Sequence, residues 1–252
     1  KSTGSPLVGN IVISGNQTYS GDLDVDTTAG MSMGGSISTS AGKIDLTSGG
    51  TMLLNALTTV NSTTGVINLT HGGTLSLLGN INSGSSFTET ATQATNILVG
   101  AGGAQSVAII VGSGNFNIGQ ANVTQILLNN DLNVTTVAVG GDVDFGAPID
   151  SSASALKGIS INSTGDITFR GNIGQATNGR LGVISLTNNA ASLTATNVNI
   201  NAGSITTGAS TSVQGPIDLT GAINLNATAG LTFKTALPQF WWVSPQTLVP
   251  LP

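Results

Sequence analysis

Aspartates recur at every second position in two short stretches, and carboxylates in this pattern could bind a cation. Asp22, Asp24 and Asp26 form the first set, and Asp142 and Asp144 form the second. Residues i and i+2 of a strand lie about 7 Å apart on one face, so each set could share a Ca²⁺ ion with loop carbonyl oxygens. Because the intervening residues are apolar, the alternation also predicts an outward polar strand face, and we favour this interpretation. The calcium-binding nonapeptide G-G-x-G-x-D is absent.

Acid–base chemistry on a polysaccharide would need paired carboxyl groups, or a carboxyl group beside a base. The chain has one glutamate, Glu89, and no two adjacent aspartates. Its one histidine, His71, lies in T-H-G-G with nothing acidic close to it in sequence. We therefore expect His71 on the surface or in a turn, and we predict no catalytic residue and no cofactor. An enzyme would have to draw its carboxylates from separate coils.

A repeated sequence phrase predicts the strands that would position these residues. It occurs as G-I-S-I-N-S-T-G-D-I-T-F (158–169), G-V-I-S-L-T (182–187) and G-P-I-D-L-T-G-A-I-N-L-N (215–226), and similar phrases begin at Gly9, Gly42 and Gly65. Apolar and polar residues alternate in each phrase, which is typical of half-buried strands. Short strands at repeated intervals predict an all-β solenoid over residues 1–234, with about ten to twelve coils of about twenty residues each.

Two stretches depart from the repeat. Residues 83–105 lose the phrase, which predicts an irregular insertion or loop, with Thr88 to Leu98 as a short helix or a projecting loop. Residues 235–252 contain four of the seven prolines and both tryptophans. Prolines cannot donate to a strand ladder, so we expect an extended tail there. Its aromatic residues predict either a cap on the chain's own solenoid or an anchor on a neighbouring subunit; they are Phe240, Trp241 and Trp242.

Composition excludes several functions. Six Lys and Arg residues and a net charge of −5 argue against binding to nucleic acid. The absence of cysteine removes disulfides and thiolate metal sites. No apolar run approaches the roughly 18 residues of a membrane-spanning helix, so we expect a chain that does not span the membrane. The sequence begins at Lys1 without an initiator methionine, which we interpret as a processed protein or a fragment.

The phrases G-x-I-x-L and G-D-I-T-F, spaced by about one coil over residues 9–80 and 158–234, resemble the repeats of filamentous-haemagglutinin-like adhesins and autotransporter passengers. This resemblance implies a right-handed parallel β-helix, a secreted or cell-surface location, and a role in adhesion or as a surface scaffold. The Asn-Pro motifs of that family's secretion domain are absent, and no functional residue carries over.

These observations lead us to expect a non-enzymatic extracellular scaffold or filament subunit that associates with itself. An adhesin for glycans or host surfaces is the first alternative, and a polysaccharide-acting enzyme is the second. Carboxylates with Lys or Arg in one groove would favour the enzyme, and a flat uncharged face with exposed aromatic residues would favour the adhesin. Uncapped ends together with an ordered exchanged tail would favour the filament.

Overall fold

The structure is a computed structural model. It describes residues 5–102, 105–152, 156–174, 179–188, 193–196, 199–208, 217–220 and 224–233, with side chains described up to Leu186. These residues form strands, turns and bends without a helix. No described segment is therefore a helix long and apolar enough to cross a membrane.

The described strands are short, and most have three to five residues. The first twelve are β1 (Ile11–Ile13), β2 (Gln17–Tyr19), β3 (Leu23–Thr27), β4 (Met31–Met33), β5 (Ile37–Thr39), β6 (Ile44–Ser48), β7 (Met52–Leu54), β8 (Thr59–Ser62), β9 (Ile67–His71), β10 (Leu75–Leu77), β11 (Asn80–Ser83) and β12 (Phe87–Ala91). The next nine are β13 (Thr95–Val99), β14 (Val107–Val111), β15 (Phe116–Gln120), β16 (Val123–Leu128), β17 (Leu132–Thr136), β18 (Val143–Phe145), β19 (Ile149–Ser151), β20 (Ile159–Ser163) and β21 (Ile167–Phe169). The last five are β22 (Leu181–Asn188), β23 (Leu193–Thr196), β24 (Asn199–Gly208), β25 (Ile217–Thr220) and β26 (Asn224–Phe233).

Each strand up to β18 pairs in parallel with the third strand after it, and from β20 onward each strand that continues a sheet pairs with the second strand after it, which produces three stacked sheets. The first sheet has 7 strands, from β1 to β19, the second has 10, from β2 to β26, and the third has 9, from β3 to β25. Partners in neighbouring turns are 20 residues apart at Ile11 and Met31, and 29 apart at Phe87 and Phe116. The predicted all-β parallel solenoid is therefore confirmed, with about seven turns that each contribute a strand to all three sheets.

The interior is a stack of apolar ladders, because alternate residues of each strand point inward. Ile44, Ile67 and Phe87 succeed one another in register on the third sheet, and each is 0% exposed. Continuous hydrogen-bond ladders hold the turns together, while the inward side chains exclude water from the space between the three sheets. The period-2 phrases therefore predicted the correct inward face in the inner turns whose side chains the structure describes.

Polar side chains at the corners satisfy backbone groups that the ladders leave over. At outer corners the side-chain oxygen of Asn16 accepts the N–H of Ser36 at 2.8 Å, and Asp131 accepts the N–H of Gly158 at 2.7 Å. At inner corners the hydroxyl of Ser62 donates to Gly42 O at 2.7 Å. Buried backbone polar groups need such partners, so the repeated Asn, Asp, Ser and Thr residues have a structural role.

The prediction of an irregular insertion at residues 83–105 is wrong for most of that stretch. The chain there contributes β12 to the third sheet and β13 to the first, in register with the turns on both sides. The alternation is obscured because β12 points Glu89 inward, where the phrase predicts an apolar residue. The corner between β13 and β14 is the longer connection that remains of the predicted insertion.

Candidate functional site

The first aspartate set lies on the third sheet of the first turn. Asp22 is at the corner before β3, where its Oδ1 accepts the N–H of Lys43 at 3.0 Å. Asp24 and Asp26 are half-buried on the outer face of β3, as the outward polar face predicts. Asp24 is the register partner of Asp45 on β6, so the two carboxylates project from adjacent strands, and neighbouring strands lie about 4.8 Å apart.

A shallow groove of about 350 Å³ runs over this outer face across four turns. We call it the polar groove, and its lining residues are Asp24, Asp45, Thr47, Asn68, Leu69, Thr70, Thr88 and Thr90. Register pairing places the three threonines 47, 70 and 90 in one ladder across β6, β9 and β12. The groove therefore presents hydroxyl, amide and carboxylate groups at the spacing of the strands.

One cation lies beside the polar groove. Lys43 Nζ contacts Asp45 Oδ2, and Asn68 Nδ2 donates to Asp45 Oδ1 at 2.7 Å. The hydrogen bond that Lys43 donates to Asp45, followed by the charge of Asp45, raises the pKa of Lys43 above its usual 10.5, so this amine stays protonated near neutrality. Asp45 is thus occupied on both oxygens, whereas Asp24 keeps its carboxylate accessible to the groove. At the polar groove, Asp24 from the first turn therefore lies near Lys43 and Asp45 from the second turn.

The second aspartate set also lies on the third sheet. Asp142 is a corner residue whose Oδ1 accepts the N–H of Asp166 at 2.8 Å. Asp144 faces outward on β18, and Arg170 binds it in a bidentate manner, with Nε to Oδ1 at 2.9 Å and Nη2 to Oδ2 at 2.7 Å. The intervening Val143 and the following Phe145 are both 0% exposed, as the alternation predicts.

The five aspartates predicted as weak metal ligands lie in two separate parts of the third sheet, at β3 and at β18. In the described part of the chain, no three His, Cys, Asp or Glu side chains are grouped so that they could hold a metal ion. Asp22 and Asp142 accept backbone N–H groups, and Asp144 binds an arginine. These contacts give three of the five candidates a structural role at the outer surface.

The prediction for His71 is wrong, because its side chain is 0% exposed in the core. Its Nε2 lies 2.6 Å from Oε1 of Glu89, which is also 0% exposed, and its Nδ1 lies 2.5 Å from Gly73 O. Glu89 Oε2 accepts the N–H of Gly119 at 2.7 Å. Sequence reasoning missed this pair because its members are 18 residues apart. Their strands, β9 and β12, are neighbours only because they lie one solenoid turn apart.

Among the residues that the structure describes, the core of the first turn is only partly covered. Ile11 and Ile13 are half-buried, whereas their register partners Met31 and Met33 are 2% and 0% exposed. Val12, between them, is 70% exposed. The end of the third sheet differs, because Leu7 pairs with β3 by donating its N–H to Asp26 O at 3.0 Å. Strands β1 and β2 are thus edge strands of their sheets.

The predicted interaction residues Phe240, Trp241 and Trp242 lie outside the described residues, so the cap or anchor stays a prediction. The fold and these sites define a β-solenoid with a polar groove, a buried hydrogen-bonded His–Glu pair and two edge strands on its first turn. Comparison of the chain with protein-family models, curated proteins and solved structures gave no match.

Proposed function

We propose that this chain is a non-enzymatic extracellular scaffold or filament subunit that associates with itself through the open first turn. It is a right-handed solenoid of ten to twelve coils, secreted to or exposed at the cell surface, in keeping with its resemblance to haemagglutinin-type repeats. The observation that carries the proposal is that, among the described residues, Ile11 and Ile13 are only partly buried, whereas their register partners in the following turns are fully buried.

The backbone of the first turn favours a β-layer as the partner. In β1, Ile11 N donates to Gly30 O and Ile13 O accepts from Gly34 N, so these residues point their backbone groups toward β4. In a parallel ladder, successive residues of a strand point their N–H and C=O groups to opposite sides. Those groups of Val12 in β1 and of Thr18 in β2 therefore point to the open side. A second copy of this chain offers strands with the same spacing and cross-section, and we take it as the occupant.

Sedimentation velocity and electron microscopy of the full chain test the proposal. We expect end-to-end oligomers that appear as rods longer than one solenoid. The double variant V12P/T18P removes two donors from the open edge and keeps the bonds to β4 and β5, so it should remain folded and monomeric. The matched variant V12T/T18V keeps both donors and should assemble. A wild-type protein that stays monomeric at every concentration would overturn self-association.

The polar groove supports a second candidate function, the binding of a glycan. Its threonine ladder, Asn68 and the accessible carboxylate of Asp24 can exchange hydrogen bonds with sugar hydroxyl groups. Aspartates outnumber the one lysine beside the groove, so neutral saccharides fit better than anionic ones.

Calorimetric titration with neutral oligosaccharides tests this second function. D24N and N68A should weaken binding, whereas S160A, on the outer face of the second sheet, should leave it unchanged. Equal affinity in all three variants would contradict a site in the groove. An assay for newly formed reducing ends distinguishes a glycan-binding protein, which releases none, from the polysaccharide-acting enzyme.

A further inference from the structure

The buried pair of His71 and Glu89 joins three consecutive turns. His71 is the last residue of β9, Glu89 is at the centre of β12, and Gly119, whose N–H Glu89 accepts, is in β15. Both ionisable side chains are fully buried. Moving charges out of water is costly, so a pair in this position needs a specific structural reason.

A register shift supplies that reason. Thr88 pairs with Asn117, but Thr90 pairs with Gln120, so β15 contains one extra residue opposite β12. Gly119 lies in this bulge with φ of +74° and is buried. Its N–H would be an unsatisfied buried donor without Glu89 Oε2, and leaving such a donor unpaired is costly. The bulge therefore requires the Glu89 carboxylate as a hydrogen-bond acceptor, and this buried carboxylate in turn requires a polar partner, which is His71.

The position of His71 follows from the inner corner ladder. Ser48 is its register partner in the preceding turn, and the hydroxyl of Ser48 donates to Thr51 O at 3.0 Å. His71 likewise contacts a backbone carbonyl of its own corner, that of Gly73. Its register partner in the next turn is Ala91, and the small side chain of Ala91 leaves space for the imidazole ring to reach Glu89.

The hydrogen bonds fix the number of protons that the pair holds. A carbonyl oxygen only accepts, so Nδ1 of His71 carries a proton and donates it to Gly73 O. One further proton lies between Nε2 of His71 and Oε1 of Glu89, and the pair is net neutral whichever atom carries it. Among the described strands packed here, β6, β12 and β15 turn no other titratable group inward, and Asp45 of β6 faces outward.

We propose that His71 and Glu89 form a proton-dependent lock on the third, fourth and fifth turns, in which the fold retains one shared proton that the unfolded chain releases as the pH rises. In unfolded chains at mildly alkaline pH, histidine is neutral and glutamate is ionised, so the unfolded chain binds fewer protons than the folded one. Stability therefore falls as the pH rises. The lock holds the solenoid in acidic surroundings and loosens the bulge in alkaline ones.

The variant E89Q tests this proposal because it can keep every hydrogen bond. The amide oxygen of Gln can accept from Gly119, and its NH₂ group can donate to Nε2 of a neutral His71, with no shared proton. In E89Q the unfolded state binds more protons in mild acid, so stability should rise with pH. The ratio of the folding equilibrium constants of wild type and E89Q should fall about tenfold per pH unit between about pH 5 and about pH 8.

Parallel stability curves for the two proteins would overturn the lock. If E89Q does not fold, an NMR titration of the wild-type protein still tests the lock. His71 is the one histidine of the chain, so its ¹⁵N ring signals need no assignment. Both ring nitrogens should keep one protonation state across the same pH range. Ring signals that titrate in the manner of an exposed histidine would show that no shared proton is held, and would contradict the proposal.

Discussion

Phe145 and Phe169 are register partners in adjacent turns, and their rings stack with centroids 5.3 Å apart and planes at 18°. Two further contacts extend this stack, from Phe87 to Phe116 at 5.5 Å and from Phe116 to Phe145 at 5.4 Å. The four rings form one continuous column in the core beside the third sheet. Such ring pairs add stability beyond the burial of their surface.

Phe145 should be the most sensitive position of this column, because its ring contacts rings on both sides. We expect F145A to lower the free energy of unfolding by about 3–5 kcal/mol, the range for large truncations that leave a cavity. Chemical denaturation followed by circular dichroism measures this change. T168A, at an outward position on β21, is the control and should change stability by less than about 0.5 kcal/mol. Equal losses in the two variants would contradict the inward and outward assignment.

Asp142 tests whether the aspartates act as corner caps or as calcium ligands. D142A removes the acceptor for the N–H of Asp166 and should cost about 1 kcal/mol. D142N keeps an oxygen in the same place, so it should retain wild-type stability. Thermal melts with and without Ca²⁺ provide the measurement. A wild-type melting temperature that rises with Ca²⁺ and a D142N variant that lacks this rise would favour the metal site instead.

The sequence predicts the ladders well because alternation is a local property. Ile161 and Ile167 have polar neighbours on both sides in the chain, and each is at most 1% exposed in the structure. Glu89 could not be recognised in this way, because an inward charge breaks the pattern that identifies a strand. Its partner is one turn away, and the turn length varies, so no fixed spacing indicates the contact. The polar groove was missed for the same reason, since its residues come from four turns.

Lys43 should titrate at a higher pH than an ordinary lysine. The hydrogen bond and the charge of Asp45 raise the pKa of Lys43 above 10.5 in the folded state. Its contribution to stability is therefore fully present below the pKa of the unfolded chain, and it is lost as the pH rises through the higher folded value. An NMR titration of the Lys43 side chain measures the shift. D45N should return the value toward 10.5, and added salt should reduce the shift because the amine is exposed. A D45N variant with an unchanged value would show that Asp45 is not the cause.

Leu57 combines backbone strain with exposure, and this combination allows a stabilising substitution. It has φ of +66° at the third position of the turn that Thr58 N closes onto Asn55 O at 3.3 Å, and it is 82% exposed. A left-handed residue with a β-carbon costs roughly 1–2 kcal/mol, whereas glycine adopts this conformation freely but loses more entropy on folding. We expect L57G to be more stable than L57A by up to about 1 kcal/mol, measured by chemical denaturation. L57A is the matched control because it removes the exposed side chain and keeps the β-carbon, so its stability should equal that of the wild type. If L57G were no more stable than L57A, the left-handed conformation would not be a source of strain at this corner.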